Sequence, residues 1–563
     1  MRGLFRSTQD HRPHEEYPSL WWLRASPWQL SQYINSSYDD HGTCRGLTCD
    51  DEAKLDAQGI HATGVFGDPT CGVASATLIY AIAIAPIASY LIDKKNLRRF
   101  PSPTFASVSS LWRVAHNVKY RHYSAVHNAH EELGSHVRIA PNHVSISDPR
   151  AVHDIYGHGA NFLKDAWYDG GAGEWRHMAD ARVKEEHQRK RKLLAHVFAQ
   201  KSLNELEPVI AETLSTLVCQ INKHIQGNRV MNMRRYLNYF TIDAFSKMLY
   251  SESLHCLDRG DDIVNAQTPQ GKIYKVPFIK SLHDSTHINT LLGMESGLLP
   301  FTRKMFAWHP YKKAGADYEN IILYNTNQRA KATEEKDDIF AKLMTKSNGD
   351  SINLPYGELL AECSVMLNAG TDTTTAALTN TIFLLYKHPL ILEKLRKELD
   401  PVMSAGTIPS YNAISQLPYL RACIEESLRL RPASSMGLPR VVPKGGRTIA
   451  GHFIDEDVTV SVPTYTLLRD STTFNRPEEY DPQRWIDGDT EKMSKVHLPF
   501  SVGPRACIGR NIAYYEQLLV IATLVTNFDF DFASANFELP VVERFNSNPG
   551  EMLLACRARV LAE

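Results

Sequence analysis

The chain of 563 residues is 43% hydrophobic, and its 62 basic and 63 acidic residues leave a formal net charge of −1. A chain of this length and apolar content can bury a large core, and so small a net charge argues against a general nucleic-acid-binding protein. Its nine cysteines show no paired metal-binding spacing, which predicts a catalytic part that lies in the reducing cytosol.

Residues 1–71 are polar and acid-rich and carry no recognisable catalytic motif. Asn35 begins an Asn-Ser-Ser sequence, a possible glycosylation site if this end of the chain is lumenal. Cys44 and Cys49 could pair there, or could remain two free thiols. We interpret 1–71 as a disordered or lumenal extension, with a misassigned start of translation as the alternative.

Residues 72–92 are predicted to form a transmembrane anchor. No charged residue occurs from Pro69 to Ile92, and a 21-residue helix rising ~1.5 Å per residue spans about 31 Å, enough to cross a bilayer core. A buried soluble helix is the alternative, because alanines and Pro86 make the segment only moderately apolar. Residues 93–110 are basic and proline-containing, which predicts a hinge and places the C-terminal bulk in the cytosol.

The pattern of apolar residues after residue 110 is mostly helical. It predicts helices near residues 186–225, 236–250, 356–387, 389–400, 413–430 and 507–526. Runs rich in Val, Ile and Thr predict strands near residues 137–146 and 447–463.

A basic run within residues 186–192 resembles a nuclear-localisation patch, but it lies in an amphipathic helix that we expect to continue through Phe198. His187 and Arg191 are four residues apart and therefore share a helix face. The remaining basic residues of the run are expected to be solvated: Arg189, Lys190 and Lys192.

Two of the predicted helices contain polar or charged residues whose type or spacing suggests more than a solvent-exposed surface. The 356–387 helix contains Gly370, Asp372 and Thr373, residue types that are disfavoured in mid-helix, so we infer a function there, with a polar helix surface as the alternative. Glu426 and Arg429 are three residues apart and can form a charge-assisted pair on one helix face.

Cys507 lies just before a helix predicted over residues 511–527, which contains neither Pro nor Gly. A helix N-terminus directs backbone N–H groups and a positive dipole end at a nearby sulfur, and so favours the thiolate that a haem iron needs. An ordinary buried cysteine is the alternative.

The residues around this cysteine suit a flat cofactor. Gly503 and Gly509 allow a sharp turn and close approach of the backbone. Phe500 can cover the apolar side of the sulfur, and Arg505 can reach a carboxylate on a porphyrin rim.

This segment resembles the haem-binding signature of the cytochrome P450 family, Phe-x-x-Gly-x-Arg-x-Cys-x-Gly, and matches it at every defining position. The resemblance covers roughly residues 100 to 560. It implies a mainly α fold with a small β region and a single haem-thiolate monooxygenase domain, residues 111–563. It also implies haem b with the Cys507 thiolate as axial ligand of the iron.

The resemblance implies roles for the other residues. Gly370 would leave space for dioxygen beside the iron, Thr373 would offer a hydroxyl at the oxygen site, and Asp372 would help to relay protons. The haem propionates would be bound by His187, Arg191 and Arg440. A buried structural triad would comprise Glu426, Arg429 and Arg484.

The activity implied is that of an oxidoreductase that inserts one oxygen atom from O2 into a hydrophobic small molecule, since an axial thiolate favours O–O cleavage. The chain contains no nucleotide-binding Gly-x-Gly-x-x-Gly fingerprint and no flavin domain, so a separate NADPH-cytochrome reductase is implied. The expected location is the endoplasmic-reticulum membrane, with one span and a cytosolic catalytic domain.

Several segments look like those of filamentous-fungal family members, including benzoate para-hydroxylase-like enzymes. We therefore favour a role in fungal secondary-metabolite biosynthesis, with hydroxylation of benzoate-type aromatics as the first alternative. A haem-thiolate isomerase or dehydratase and a non-catalytic haem sensor are further alternatives. Both would have little use for the Asp372-Thr373 pair, which counts against them.

Overall fold

Helices predominate in the computed structural model, which describes residues 85–334, 336–345, 351–404 and 406–560. In chain order the helices are α1 (Ala85–Ile92), α2 (Leu111–Val118), α3 (His122–Leu133), α4 (Arg150–Tyr156), α5 (Lys184–Ala195), α6 (Gln200–Gln226), α7 (Met233–Tyr250), α8 (Cys256–Arg259), α9 (Phe278–Gly293), α10 (Leu299–Met305), α11 (Pro310–Lys331), α12 (Ile339–Met344), α13 (Tyr356–Lys387), α14 (Pro389–Leu399), α15 (Tyr411–Ile414), α16 (Pro418–Leu430), α17 (Thr464–Leu467), α18 (Arg484–Asp487), α19 (Thr490–Ser494) and α20 (Arg510–Asn527).

The strands are short and form small sheets. They are β1 (His136–Ala140), β2 (His143–Ile146), β3 (Leu163–Lys164), β4 (Met231–Asn232), β5 (Ile263–Gln267), β6 (Ile273–Pro277), β7 (Arg440–Val441), β8 (Arg447–Ile449), β9 (His452–Ile454), β10 (Thr459–Ser461), β11 (Phe528–Phe532), β12 (Val541–Glu543), β13 (Ser547–Pro549) and β14 (Leu553–Ala558). One five-stranded sheet has the order β1-β2-β10-β7-β3, and one three-stranded sheet has the order β11-β14-β4. The helix-rich character with a small β region is thereby confirmed.

Most of the predicted helices agree with the observed ones, above all α13, whose bounds are those predicted. One of the predicted helices was wrong. The helix predicted over 186–225 is divided into α5 and α6, because Ala199 is extended and caps the second helix.

The predicted anchor is described only in part. Residues 85–92 form helix α1, and within the described ranges no helix is both long enough and apolar enough to cross a membrane. Residues 1–71, with Asn35, Cys44 and Cys49, and residues 72–84 lie outside the described residues.

Helix α13 runs through the main hydrophobic core and packs against α7 on one side and α20 on another. Three of its buried threonines are satisfied by the helix itself, since the hydroxyls of Thr371, Thr379 and Thr381 donate to the carbonyl four residues earlier, at 2.7–2.8 Å. This back-bonding explains how residues of low helix propensity are accommodated in the middle of a buried helix.

Candidate active site

Cys507 lies in the turn that leads into helix α20, two residues before the N-cap, Gly509. Its backbone N–H donates to the Phe500 carbonyl at 2.9 Å, which closes the loop. Burial raises the pKa of the Cys507 thiol, while the Gly509 N–H, Arg191 and Arg510 act in the opposite direction. The thiol is nevertheless exposed at the surface of its loop. A sulfur with an N–H donor, two nearby cations and an open side is suited to bind a metal as the thiolate.

The turn before Cys507 requires glycine at position 503. Gly503 has φ +71°, and a Cβ there would lie 2.0 Å from the Tyr156 carbonyl oxygen. Both the left-handed backbone and the close approach of α4 exclude other side chains. The tertiary contact with α4 thus holds the loop in place.

Phe500 and Arg505 anchor the two sides of the loop. The Phe500 ring packs against Tyr514 of α20, with ring centroids 4.9 Å apart. Arg505 donates to the backbone carbonyls of Ala181 and Arg182, and it forms no ion pair among the described residues. Burial and neighbouring cations, Arg440 first, lower the pKa of Arg505 to about 10.

Arg505 belongs to a group of basic side chains without acidic partners, which we name the cationic cluster: Lys164, His187, Arg191, Arg440 and Arg505. Lys164 and Arg440 are directly opposite each other in the pairing of β3 with β7. Burial and the charges of Arg440 and Arg505 hold the pKa of Lys164 well below its usual value. Burial, Arg505 and Lys164 lower the pKa of His187 to about 3.

Like charges placed opposite each other in a sheet destabilise the fold unless an anion lies between them. Arg191 donates to the Ala506 carbonyl at 2.7 Å, so it connects this group to the cysteine loop. Four cations without carboxylate partners beside a thiol fit the two propionates of a haem.

Three propionate contacts, His187, Arg191 and Arg440, were expected from the sequence, and the structure brings all three together. Lys164 was missed, because it lies in a two-residue strand without a motif.

The Gly370-Thr371-Asp372-Thr373 segment has an open face and a packed face. On the open face, the Thr373 hydroxyl donates to the Ala369 carbonyl at 2.7 Å. Ala369 is exposed and Thr373 is half-buried, although α13 runs through the hydrophobic core. A Cβ at Gly370 would lie 2.2 Å from the ring of Phe245 on α7. The close packing of α13 against α7 is therefore enough to explain why position 370 is a glycine. The role of Gly370 at the oxygen site stays a prediction.

Asp372 is buried and receives three hydrogen bonds, each 2.8 Å long, from His283 of α9, Asn546 and Asn548. Burial opposes ionisation, but these three donors hold the pKa of Asp372 below its usual value. The carboxylate therefore joins α9, α13 and the β12–β13 hairpin. A role in proton delivery stays a prediction, and it would have to act through this network.

A second buried acid, Glu516 of α20, lies against α13. Its side chain is 1% exposed, Thr374 is its hydrogen-bonding neighbour, and Oε1 has no partner among the described residues. Burial raises the pKa of Glu516 to about 8, so the group is mostly protonated at neutral pH. The sequence offered one signal, a carboxylate in an otherwise apolar stretch of helix, which was not used.

The predicted Glu426, Arg429 and Arg484 side chains meet in the interior. Arg429 forms a bidentate pair with Glu426, both bonds being 2.8 Å long, and Arg484 Nε donates to Glu426 at 2.9 Å. Trp485 adds a fourth hydrogen bond to the same carboxylate. The arrangement fixes the position of the segment that precedes the cysteine loop.

The expectation that Lys190 is solvated was wrong. Lys190 is 1% exposed and forms ion pairs with Glu358 at 2.5 Å and Glu362 at 3.1 Å, both on α13. Arg189 and Lys192 are exposed as expected, although Arg189 also pairs with Glu358. Lys190 therefore connects α5 to α13 through two buried ion pairs.

Comparison with known proteins finds a family model and relatives that match most of the chain. The family model described as Cytochrome P450 matches residues 102–554. Benzoate 4-monooxygenase bphA of Aspergillus niger is 30% identical, over 80% of this chain and 93% of the relative. Cytochrome P450 monooxygenase aba2 of Botryotinia fuckeliana and astJ of Aspergillus oryzae are each 29% identical, over 80% of this chain and 86% and 88% of the relative.

Proposed function

Because this chain belongs to the cytochrome P450 family, whose members are monooxygenases that use haem and a redox partner, we propose that it oxidises a hydrophobic small molecule in fungal secondary metabolism. We further propose that its electrons come from a separate NADPH-cytochrome reductase. Cys507 would be the axial ligand of haem b. The proposal is carried by Cys507, which lies beside the cationic cluster and before the N-terminus of α20.

The family's haem, when bound, supplies activation of dioxygen and transfer of one oxygen atom to the substrate. Gly509 and the end of α20 stabilise the negative charge on the sulfur of Cys507. The cationic cluster orients the cofactor through its propionates. Thr373 offers a hydroxyl on the open face of α13. Glu516 of α20 holds a proton beside Thr374, the residue that follows Thr373 in α13.

We also propose that residues 72–92 anchor the protein in the endoplasmic-reticulum membrane with the catalytic domain in the cytosol. The uncharged stretch followed by Lys94, Lys95, Arg98 and Arg99 supports this location. The reductase would dock on the exposed basic residues Lys192, Lys492, Lys495 and Arg510. Charge reversal at these four positions should slow reductase-driven turnover in a salt-dependent way.

Hydroxylation of a benzoate-type aromatic acid is the second candidate. It is favoured by the similarity to bphA, a benzoate 4-monooxygenase. The two candidates share their chemistry and differ in the substrate.

The test is a carbon monoxide difference spectrum of the reduced full-length protein in microsomes, followed by turnover with NADPH and a fungal reductase. Wild type should show the thiolate-type band, and Cys507→Ala should lose both the band and all turnover. Cys219→Ala is the matched control, because Cys219 is also an exposed thiol. Turnover retained by Cys507→Ala would refute the assignment, and a para-hydroxylated product from benzoate would favour the second candidate.

A further inference from the structure

A narrow cavity lies between helix α2, the five-stranded sheet and the end of helix α9. Its volume of about 10 Å³ is room for one water molecule or one oxygen atom of a ligand. Polar side chains line one part of it: Arg113, His122, His143, Ser145 and Ser461. Apolar residues line another part: Trp167, Met294, Met436 and Pro439.

Arg113 determines the direction of the hydrogen bonds in the polar part of the cavity, because a guanidinium can only donate. Its Nη1 donates to His143 Nδ1 at 3.0 Å, so His143, if neutral, carries its proton on Nε2. Burial and the charge of Arg113 hold the pKa of His143 well below its usual value, which keeps it neutral. Nε2 therefore donates to Ser461 Oγ at 2.8 Å, and the Ser461 hydroxyl proton remains free for another acceptor.

Arg113 is a cation without a carboxylate partner in the described part of the chain. Its Nη2 donates to the Met294 carbonyl at 2.7 Å, and its Nε has no acceptor. Burial lowers the pKa of Arg113, and the charges of two acids, Glu295 and Asp165, oppose this effect. Both acids accept hydrogen bonds from other residues. Glu295 accepts from Ser110, and Asp165 accepts from the Trp167 N–H and from Thr459.

A second polar side chain at the cavity lacks a partner. His122 is 4% exposed, and no described residue bonds its Nδ1. Burial and Arg113 lower the pKa of His122 to about 3, so the ring is neutral and can present either an N–H or a lone pair. The polar part thus holds a guanidinium with a free N–H, a free hydroxyl proton and an adaptable imidazole, which together suit an oxyanion.

Residues next to the apolar part contact residues of the candidate active site. Trp167 stacks on Phe545 with ring centroids 5.7 Å apart, and Phe545 adjoins Asn546, a donor to Asp372. On the other side, Tyr168 accepts a hydrogen bond from Arg440 of the cationic cluster at 3.1 Å. Met294 and Met436 are flexible side chains, so this part can widen around a ligand.

We propose that the substrate is an organic acid whose carboxylate binds Arg113 and Ser461, with His122 as an adaptable third contact. The apolar part of the substrate lies along Trp167, Met294 and Met436, toward α13. This inference rests on the proposed monooxygenase function, for which it names the substrate class. It also supplies the carboxylate-binding cation that a benzoate-type acid would need.

The test uses the haem-loaded full-length protein and carboxylic acids from benzoate to hexadecanoate, each paired with its methyl ester. Dissociation constants are measured from the shift in the haem absorption spectrum on titration. In wild type at least one acid should bind ~10- to 100-fold more tightly than its ester, the worth of a charge-assisted hydrogen bond. Arg113→Gln should reduce that ratio to near one, and Arg113→Lys should give an intermediate ratio.

Arg303→Gln is the matched control, because Arg303 is also half-buried and donates to backbone carbonyls, those of Asp169 and Ala172, but does not line the cavity. It should leave the ratio unchanged. If Arg113 only braces α2 against α9, its replacement would weaken acid and ester equally and keep the ratio. That result, or a wild type without preference for any acid, would overturn the inference. A missing thiolate band in the same samples would instead refute the proposed function.

Discussion

Replacing Glu516 with glutamine should make the protein more stable at neutral pH and should flatten the pH dependence of its stability. Glu516 is buried between α20 and α13, and burial raises its pKa from an ordinary value of 4.5 to about 8. Between these two values the folded state holds a proton that the unfolded state has released. The contribution of Glu516 to stability is therefore complete below pH 4.5 and is lost as the pH rises toward 8.

The size of the effect follows from the pKa shift. At pH 7 the loss extends over about 2.5 pH units, and at ~1.36 kcal/mol per unit it amounts to ~3 kcal/mol. Glutamine has the same shape and never ionises, so it avoids this loss. Glu516→Gln should be up to ~3 kcal/mol more stable than wild type at pH 7 and close to wild type at pH 5.

The assay is urea unfolding of the haem-loaded protein at pH 5, 6, 7 and 8, followed by circular dichroism. Glu132→Gln is the control, because Glu132 is exposed and should give a curve parallel to that of wild type. A Glu516→Gln variant that is less stable than wild type by the same amount at every pH would refute the reasoning. It would show that the carboxylate is charged and paired in the folded protein.

Three further outcomes are expected. Gly503→Ala should lower the thermal midpoint and the haem content, because its Cβ would lie 2.0 Å from the Tyr156 carbonyl oxygen at a left-handed φ; normal haem content would show that α4 can move. In a double-mutant cycle of unfolding free energies, Asp372→Ala and His283→Ala should couple by ~1 kcal/mol or more, since the two share a buried hydrogen bond; additive effects would contradict this. Thr373→Ala should keep the carbon monoxide spectrum while more of the NADPH consumed yields hydrogen peroxide, and unchanged coupling would argue against a role in proton delivery.

The sequence alone was sufficient to predict the features that depend on residues close together in the chain. The Cys507 segment was recognisable because a thiolate, two glycines and an arginine must occur at fixed spacing before a helix, whatever the rest of the chain does. Helix α13 was predicted with its bounds, since residues 356–387 contain no proline and lie between Pro355 and Pro389. Glu426 and Arg429 followed from their spacing on one helix face.

Tertiary structure alone decided which distant residues meet. Lys164 lies opposite Arg440 only because β3 pairs with β7, and Arg113 reaches His143 only because α2 packs beside β2. Burial also decided the protonation of Glu516. Periodicity and spacing report the neighbours of a residue along one element, whereas pairing across sheets and desolvation depend on contacts between residues far apart in the chain.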